Sequence, residues 1–242
     1  HARVRLANVF HLNSWNAIAL TMIEEALTLD PTNAVARLLR AKVYRDEGDG
    51  ALAVAEYEAL LATQPQNAEA LYYVGTSYQA ARRFDEAIVA YQRAANADVD
   101  LVIPPFDRVP FGLQARLQLG RTYRQLSRVQ FRAGGYADGM SLLALALDGL
   151  RDAHQVVERI ALVRYSDVRA ELISALSVKV TMLRRAQQPE TEVLAVFEEM
   201  VRVDPDDVAA WLDAGEIRRR AARTRAELEV AETYFERAYE LD

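Results

Sequence analysis

An all-α array of helical hairpins is the fold class this sequence predicts, and three observations predict it. Ala41, Tyr44, Ala53 and Tyr57 return thirty-four residues later as Gly75, Tyr78, Ala87 and Tyr91. The stretches Asp30-Pro31-Thr32-Asn33 and Gln64-Pro65-Gln66-Asn67, also one period apart, have the chemistry of turns between helices. No segment sustains the apolar–polar alternation of a half-buried strand, so no sheet is expected.

Within a repeat, each residue type has a physical task. Small residues at Ala41, Gly75, Ala53 and Ala87 let the two helices of a hairpin approach closely. Tyr44, Tyr57, Tyr78 and Tyr91 are expected to fill the space between hairpins. Proline stops one helix, and the asparagine after it caps the free amides of the next. Glu47-Gly48-Asp49-Gly50 and Ala81-Arg82-Arg83 form the short turn inside a pair. An earlier copy begins the chain, with Leu6-Ala7, Phe10, Ala19, Ile23, Ala26 and Pro31.

The pattern then breaks. Pro104, Pro105 and Pro110 forbid a continuous helix between Ala97 and Gly112. The apolar residues among them predict an ordered, nonhelical connector, with Phe106 or Phe111 inserted against helices of the third and fourth repeats. Leu119-Gly120, Tyr123, Gly139 and Leu143 resume the pattern. Gly120 and Gly139 stand seven residues farther apart than Ala41 and Ala53, close to two extra helical turns. Ala175 to Val193 is stretched in the same way, and Gly215 to Ala231 by about one turn. Asp152 to Tyr165 either continues the second helix of the fourth repeat or forms a short separate helix before Ser166-Asp167 caps the next. Phe197, Met200 and Pro205 complete one further copy, and Trp211, Ala214-Gly215, Phe235 and Ala238 the last.

Taken together, these residues resemble the tetratricopeptide repeat family, whose repeats carry Leu-Gly, a tyrosine, and later an alanine, an aromatic, an alanine and a proline. The resemblance implies a right-handed α-α superhelix, or solenoid, of about six hairpins. Residues 1–97 would hold three regular repeats, the first truncated, and 98–112 a proline-rich connector. Residues 113–242 would hold about three irregular repeats with lengthened helices, all in one continuous array. It also implies a protein–protein interaction scaffold whose first helices line a concave groove. By the family pattern the groove residues are Asn8, His11, Lys42, Arg45, Thr76, Gln79, Arg121 and Arg124, with Leu38, Tyr72 and Leu117 one turn earlier and Arg128 one turn later. Members that clamp a terminal carboxylate would match Asn8 and Lys42. Val4, Glu69 and Tyr73 stand where such a clamp needs lysine, a basic residue and asparagine, so that specialised grip is not expected.

The sharpest local feature is the segment Leu113–Ala133. It carries Arg116, Arg121, Arg124, Arg128 and Arg132 and no Asp or Glu. The last four follow three or four apart, on one helical face, where like charges repel by some tenths of a kcal/mol per pair. Their partners therefore lie elsewhere. Either acids of adjacent helices, such as those around Asp138 and Glu158, meet them across the stack, or they face a groove for an acidic or C-terminal peptide. An anionic polymer is a third candidate, and a self-associating structural array an alternative to peptide binding. Arg218-Arg219-Arg220, Arg223 and Arg225 form a second basic cluster. It sits between Glu216 and Glu227 and reads as a solvated helix end.

Composition narrows the chemistry. The 242 residues are 51% hydrophobic with a net charge of -6, enough to bury a long core and a poor balance for a dedicated nucleic-acid binder. There is no cysteine, hence no disulfide, thiol nucleophile or cysteine metal site. His1, His11 and His154 are too scattered for a metal site, and no phosphate loop or nucleophile elbow occurs. Glu24 and Glu198 read as solvated surface residues. Neither enzyme activity nor a cofactor is expected, and no stretch has the length of a membrane span. Both ends interrupt the repeat, so a larger parent protein is expected, cytoplasmic or periplasmic.

Overall fold

The computed structural model describes residues 2–97, 110–159 and 166–242. Among these residues the chain is all-α, with twelve helices arranged as successive antiparallel pairs. They are α1 (Ala2–Leu12), α2 (Asn16–Leu29), α3 (Ala34–Asp46), α4 (Gly50–Thr63), α5 (Ala68–Ala80) and α6 (Phe84–Ala97), followed by α7 (Phe111–Arg132), α8 (Tyr136–Arg159), α9 (Ser166–Arg185), α10 (Glu190–Val203), α11 (Val208–Ala221) and α12 (Arg225–Leu241). Two compact units emerge, His1–Gln118 and Leu119–Asp242.

In the first unit the turns between hairpins behave as their residues dictate. The side chains of Asn33 and Asn67 accept from the amides of Ala36 and Ala70 at 3.0 and 2.9 Å, satisfying donors that α3 and α5 leave free. The turn inside each pair has a requirement of its own. Ser14, Gly48 and Arg82, spaced by the repeat, all take a left-handed backbone, with φ of 63°, 89° and 59°. Only Gly48 adopts it without crowding a Cβ.

Packing follows one rule. Ala7, Ala41 and Gly75 on the first helices are buried, as are Ile23, Tyr57 and Tyr91 on the second. A Cβ placed on Gly75 would lie 2.7 Å from the ring of Tyr91. The ring thus occupies the space a side chain would need, and the helices stand closer there than two larger residues would allow. The second unit repeats the device. A Cβ on Gly120 would meet Leu150 at 2.6 Å, and one on Gly215 would meet Phe235 at 3.2 Å.

The four tyrosines are not equivalent, which corrects the sequence expectation. Tyr57 and Tyr91 are fully buried, whereas Tyr44 and Tyr78 are half-buried. Tyr91 donates to Gln79 Oε1 at 2.7 Å. Tyr78 lies near the surface and donates to Glu58; burial and that bond push its pKa up to about 12.

Helix length sets the middle of the chain apart and not the whole of 113–242 that was expected, since α10 and α11 return to 14 residues. The helices α3 to α6 run 13 or 14 residues, while α7, α8 and α9 run 22, 24 and 20. The segment from Asp152 continues α8 as far as Arg159. Pro110 closes the connector, and its carbonyl accepts from the amides of Leu113 and Gln114 at 3.1 Å. Phe111 is already helical, two residues earlier than the sequence suggests, and its ring lies 5.7 and 5.6 Å from Tyr72 and Tyr73 of α5. Phe106 and the rest of 98–109 lie outside the described residues, as do 160–165.

The glycine contacts make opposite predictions for one substitution. Gly75→Ala gains about 1 kcal/mol of helix propensity but overpacks Tyr91, for a net loss of about 1–2 kcal/mol in denaturant unfolding. Gly149 in α8 faces open space, so Gly149→Ala stabilises by about 0.5–1 kcal/mol. Equal responses at the two sites would mean that Tyr91 does not set the helix spacing.

Candidate functional site

On the first unit, the structure assigns most candidate groove residues an internal partner. Lys42 pairs with Glu69 of α5. Arg45 binds Asp46 at 2.6 Å and stacks 4.3 Å above the ring of Tyr73. His11 meets Asn16 at 3.0 Å through Nδ1 and Asp46 at 3.4 Å through Nε2. Thr76 donates back to the Tyr73 carbonyl at 2.8 Å, and Gln79 accepts from Tyr91. Tyr72 is half-buried against Tyr73, Tyr91 and Phe111. Leu38 packs on the core around Tyr57, and Asn8 is exposed. Leu117 is buried and belongs to the core, not to a groove floor. The candidates themselves include no acid, yet Asp46 and Glu69 stand among them and cancel much of their charge.

On the second unit, the arginine face of α7 divides in two. Arg121 and Arg124 both donate through Nε to Glu171 of α9, at 3.2 and 2.5 Å. Glu171 is buried, so this carboxylate is held by charge-assisted bonds in place of water. The partner is thus neither Asp138 nor Glu158, which pairs instead with His154 at 3.4 Å. Sequence reasoning did not single out Glu171. The one available sign was that no other acid stands between it and Arg185.

Beyond Glu171 the same two helices enclose a cavity of about 300 Å³. From α7 it is lined by Arg124, Arg128 and Arg132, one turn apart along a single face, and by Phe131 beside them. From α9 it is lined by Ser174, Ser177, Val178, Thr181, Met182 and Arg185. Arg128, Arg132 and Arg185 are exposed, and among the described residues no carboxylate lies within ion-pair reach of them. Arg132 and Arg185 stand in the last turns of their helices, where the helix dipole favours cations.

The second basic cluster is neutralised within its own unit. Arg218 pairs with Glu198 and lies 5.0 Å from the Tyr234 ring. Arg219 and Arg220 share Glu216 at 2.9 and 3.0 Å, and Arg225 meets Glu229 at 3.0 Å. Glu198 is therefore a fixed partner of Arg218 and not a solvated surface residue. Glu227 completes a capping box with Thr224, which starts α12.

Residues 16–68 and 38–102 match the family model of the tetratricopeptide repeat. This family match lies in the first unit, outside α7 and α9. Over 87 residues the chain is 34% identical to the type IV pilus assembly protein PilF of Pseudomonas aeruginosa; the match covers 36% of this chain and 33% of that protein. Among solved structures, YrrB, described as a TPR protein with an unusual peptide-binding site, is similar with a TM-score of 0.51 at 18% identity. That likeness covers 91% of this chain and 92% of YrrB, and it is a likeness of fold.

Glu171 gives a direct test of the divided arginine face. Glu171→Ala leaves Arg121 and Arg124 repelling each other without their shared acceptor, and a loss of about 2–3 kcal/mol in unfolding free energy is expected. Glu158→Ala, at an exposed carboxylate, should change stability by no more than about 0.5 kcal/mol. Indistinguishable effects would mean that Glu171 is solvated and holds nothing.

Proposed function

We infer, from the match of residues 16–102 to the tetratricopeptide repeat model and the likeness of that family to protein-interaction scaffolds, that this chain holds a segment of a partner protein, and that an acidic segment seats on the α7–α9 face of its second unit. The observation that supports this reading is the set Arg128, Arg132 and Arg185. Three exposed guanidiniums share one concavity, with no carboxylate partner among the described residues. Leaving like charges together costs stability, and an incoming carboxylate or several would relieve that cost through forked hydrogen bonds.

The first unit supports the reading less, because Lys42, Arg45 and His11 already have Glu69 and Asp46 as partners. Arg121 and Arg124 belong to the frame of the site and not to its grip. Among the described residues no cluster of His, Asp or Glu could hold a metal ion, and no helix is long and apolar enough to cross a membrane.

The test is a double charge reversal that leaves Glu171 and its partners in place. Arg128→Glu with Arg132→Glu should weaken binding of a glutamate-rich peptide by at least about tenfold, since charged hydrogen bonds of about 1.5–3 kcal/mol each are lost. Helical circular dichroism and the unfolding midpoint should not move, because both residues are exposed. Failure of the unmodified chain to bind such a peptide at low salt would defeat the reading. A steep fall of affinity for a nucleic acid with salt, without peptide binding, would favour an anionic polymer instead.

A further inference from the structure

We propose that the α7–α9 cavity is a phosphomonoester site, so that the partner segment it takes carries a phosphorylated side chain. This rests on the reading of that face as a protein-binding site, and goes further by naming the group it recognises.

The first argument is charge. Glu171 is committed to Arg121 and Arg124, and Arg128, Arg132 and Arg185 remain without a carboxylate among the described residues. One glutamate of a partner brings a single negative charge and two oxygens in a plane, enough for one guanidinium fork. A phosphomonoester near neutral pH brings nearly two charges and three oxygens that diverge from one atom. Three forks around one concavity match the second group and exceed the first.

The second argument is direction. Arg128 and Arg132 project from α7 and Arg185 from α9, so the cations lie on both walls. A tetrahedral anion can be met from several sides at once, which a flat carboxylate cannot. The volume, about 300 Å³, stands at the low end of ligand pockets and suits one side-chain head group better than a length of peptide. Phe131, Val178 and Met182 supply apolar surface for the carbon stem. The hydroxyls of Ser177 and Thr181 donate to carbonyls of their own helix at 2.9 and 3.0 Å, which leaves the arginines, with the Ser174 hydroxyl, as the donors that count.

The lining also fixes how binding depends on pH. The charged groups facing the cavity are Arg124, Arg128 and Arg132 from α7 and Arg185 from α9, with Glu171 bound beside them. No histidine lines it, and arginine stays protonated throughout the usual range. A phosphomonoester loses its second proton near pH 6. Any change of affinity between about pH 5 and pH 7.5 therefore belongs to the ligand, and it runs toward tighter binding as pH rises.

The experiment is calorimetric titration of the full chain with one neutral pentapeptide bearing phosphoserine, glutamate or serine at its centre. Inorganic phosphate and dimethyl phosphate serve as further probes. The phosphopeptide is expected to bind at least about tenfold more tightly than the glutamate peptide at pH 7.5, and to weaken several-fold by about pH 5. Arg128→Gln with Arg185→Gln should remove this preference while the unfolding midpoint holds. Equal binding of the phosphoserine and glutamate peptides overturns the phosphate inference and leaves the acidic-segment reading standing. If no acidic peptide binds at all, both fall. Inorganic phosphate binding as tightly as the phosphopeptide would assign the site to a free phosphate and overturn the partner claim. Dimethyl phosphate binding equally, with no pH step, would point to a nucleic-acid backbone and overturn it as well.

Discussion

Each unit depends on the contact between a small residue on the first helix of a hairpin and a large one on the second. Gly75 against Tyr91, Gly120 against Leu150 and Gly215 against Phe235 leave no room for a further carbon, or almost none. Packed interiors are as dense as organic crystals, so such a contact fixes the distance between two helices to a fraction of an ångström. Fixing that distance fixes which faces turn outward. The rows of first-helix side chains that remain at the surface are a consequence of what the second helices bury.

Those rows carry charge in two different states. The first unit meets its basic groove candidates internally: Lys42, Arg45 and His11 each have an acid within reach, and Arg45 lies over the Tyr73 ring. The second unit internalises only part of them. One buried carboxylate, Glu171, takes up Arg121 and Arg124 and ties α7 to α9. The extra turns of these helices carry Arg128, Arg132 and Arg185 beyond its reach, into a cavity lined by no acid. On the proposed reading, stability and recognition thus fall to different arginines of α7 and α9, and loss of one set need not disturb the other.

The sequence was most informative where the repeat is regular. Small and aromatic positions at constant spacing fix the hairpins through Tyr91, and Asn33 and Asn67 cap the helices their position suggests. Depth within a repeat was less legible. Tyr44 and Tyr57 recur at the same period as Tyr78 and Tyr91, so the pattern cannot tell that the tyrosine of the second helix is the buried one. The charged site was legible only on one side. The arginines of α7 stand out because they lack acids in their own helix, but Glu171 lies 47 residues from Arg124. It follows a hairpin whose lengthened helices break the period that would have aligned it. Arg185, Ser174, Ser177 and Thr181 escaped notice for the same reason. Leu117 was misplaced because a residue one turn before a groove position can equally well point into the core.

The division of the arginine face is the claim on which the functional account stands, and the guanidinium protons report it directly. Hydrogen exchange of the arginine Nε–H groups, followed by nitrogen-resolved NMR, separates donors that are held from donors open to water. Slow exchange is expected at Arg121 and Arg124, whose Nε–H groups reach Glu171. Fast exchange is expected at Arg128, Arg132 and Arg185, slowing only when an acidic or phosphorylated peptide is added. Equal protection at all five in the free protein, or none at Arg121 and Arg124, would contradict that division.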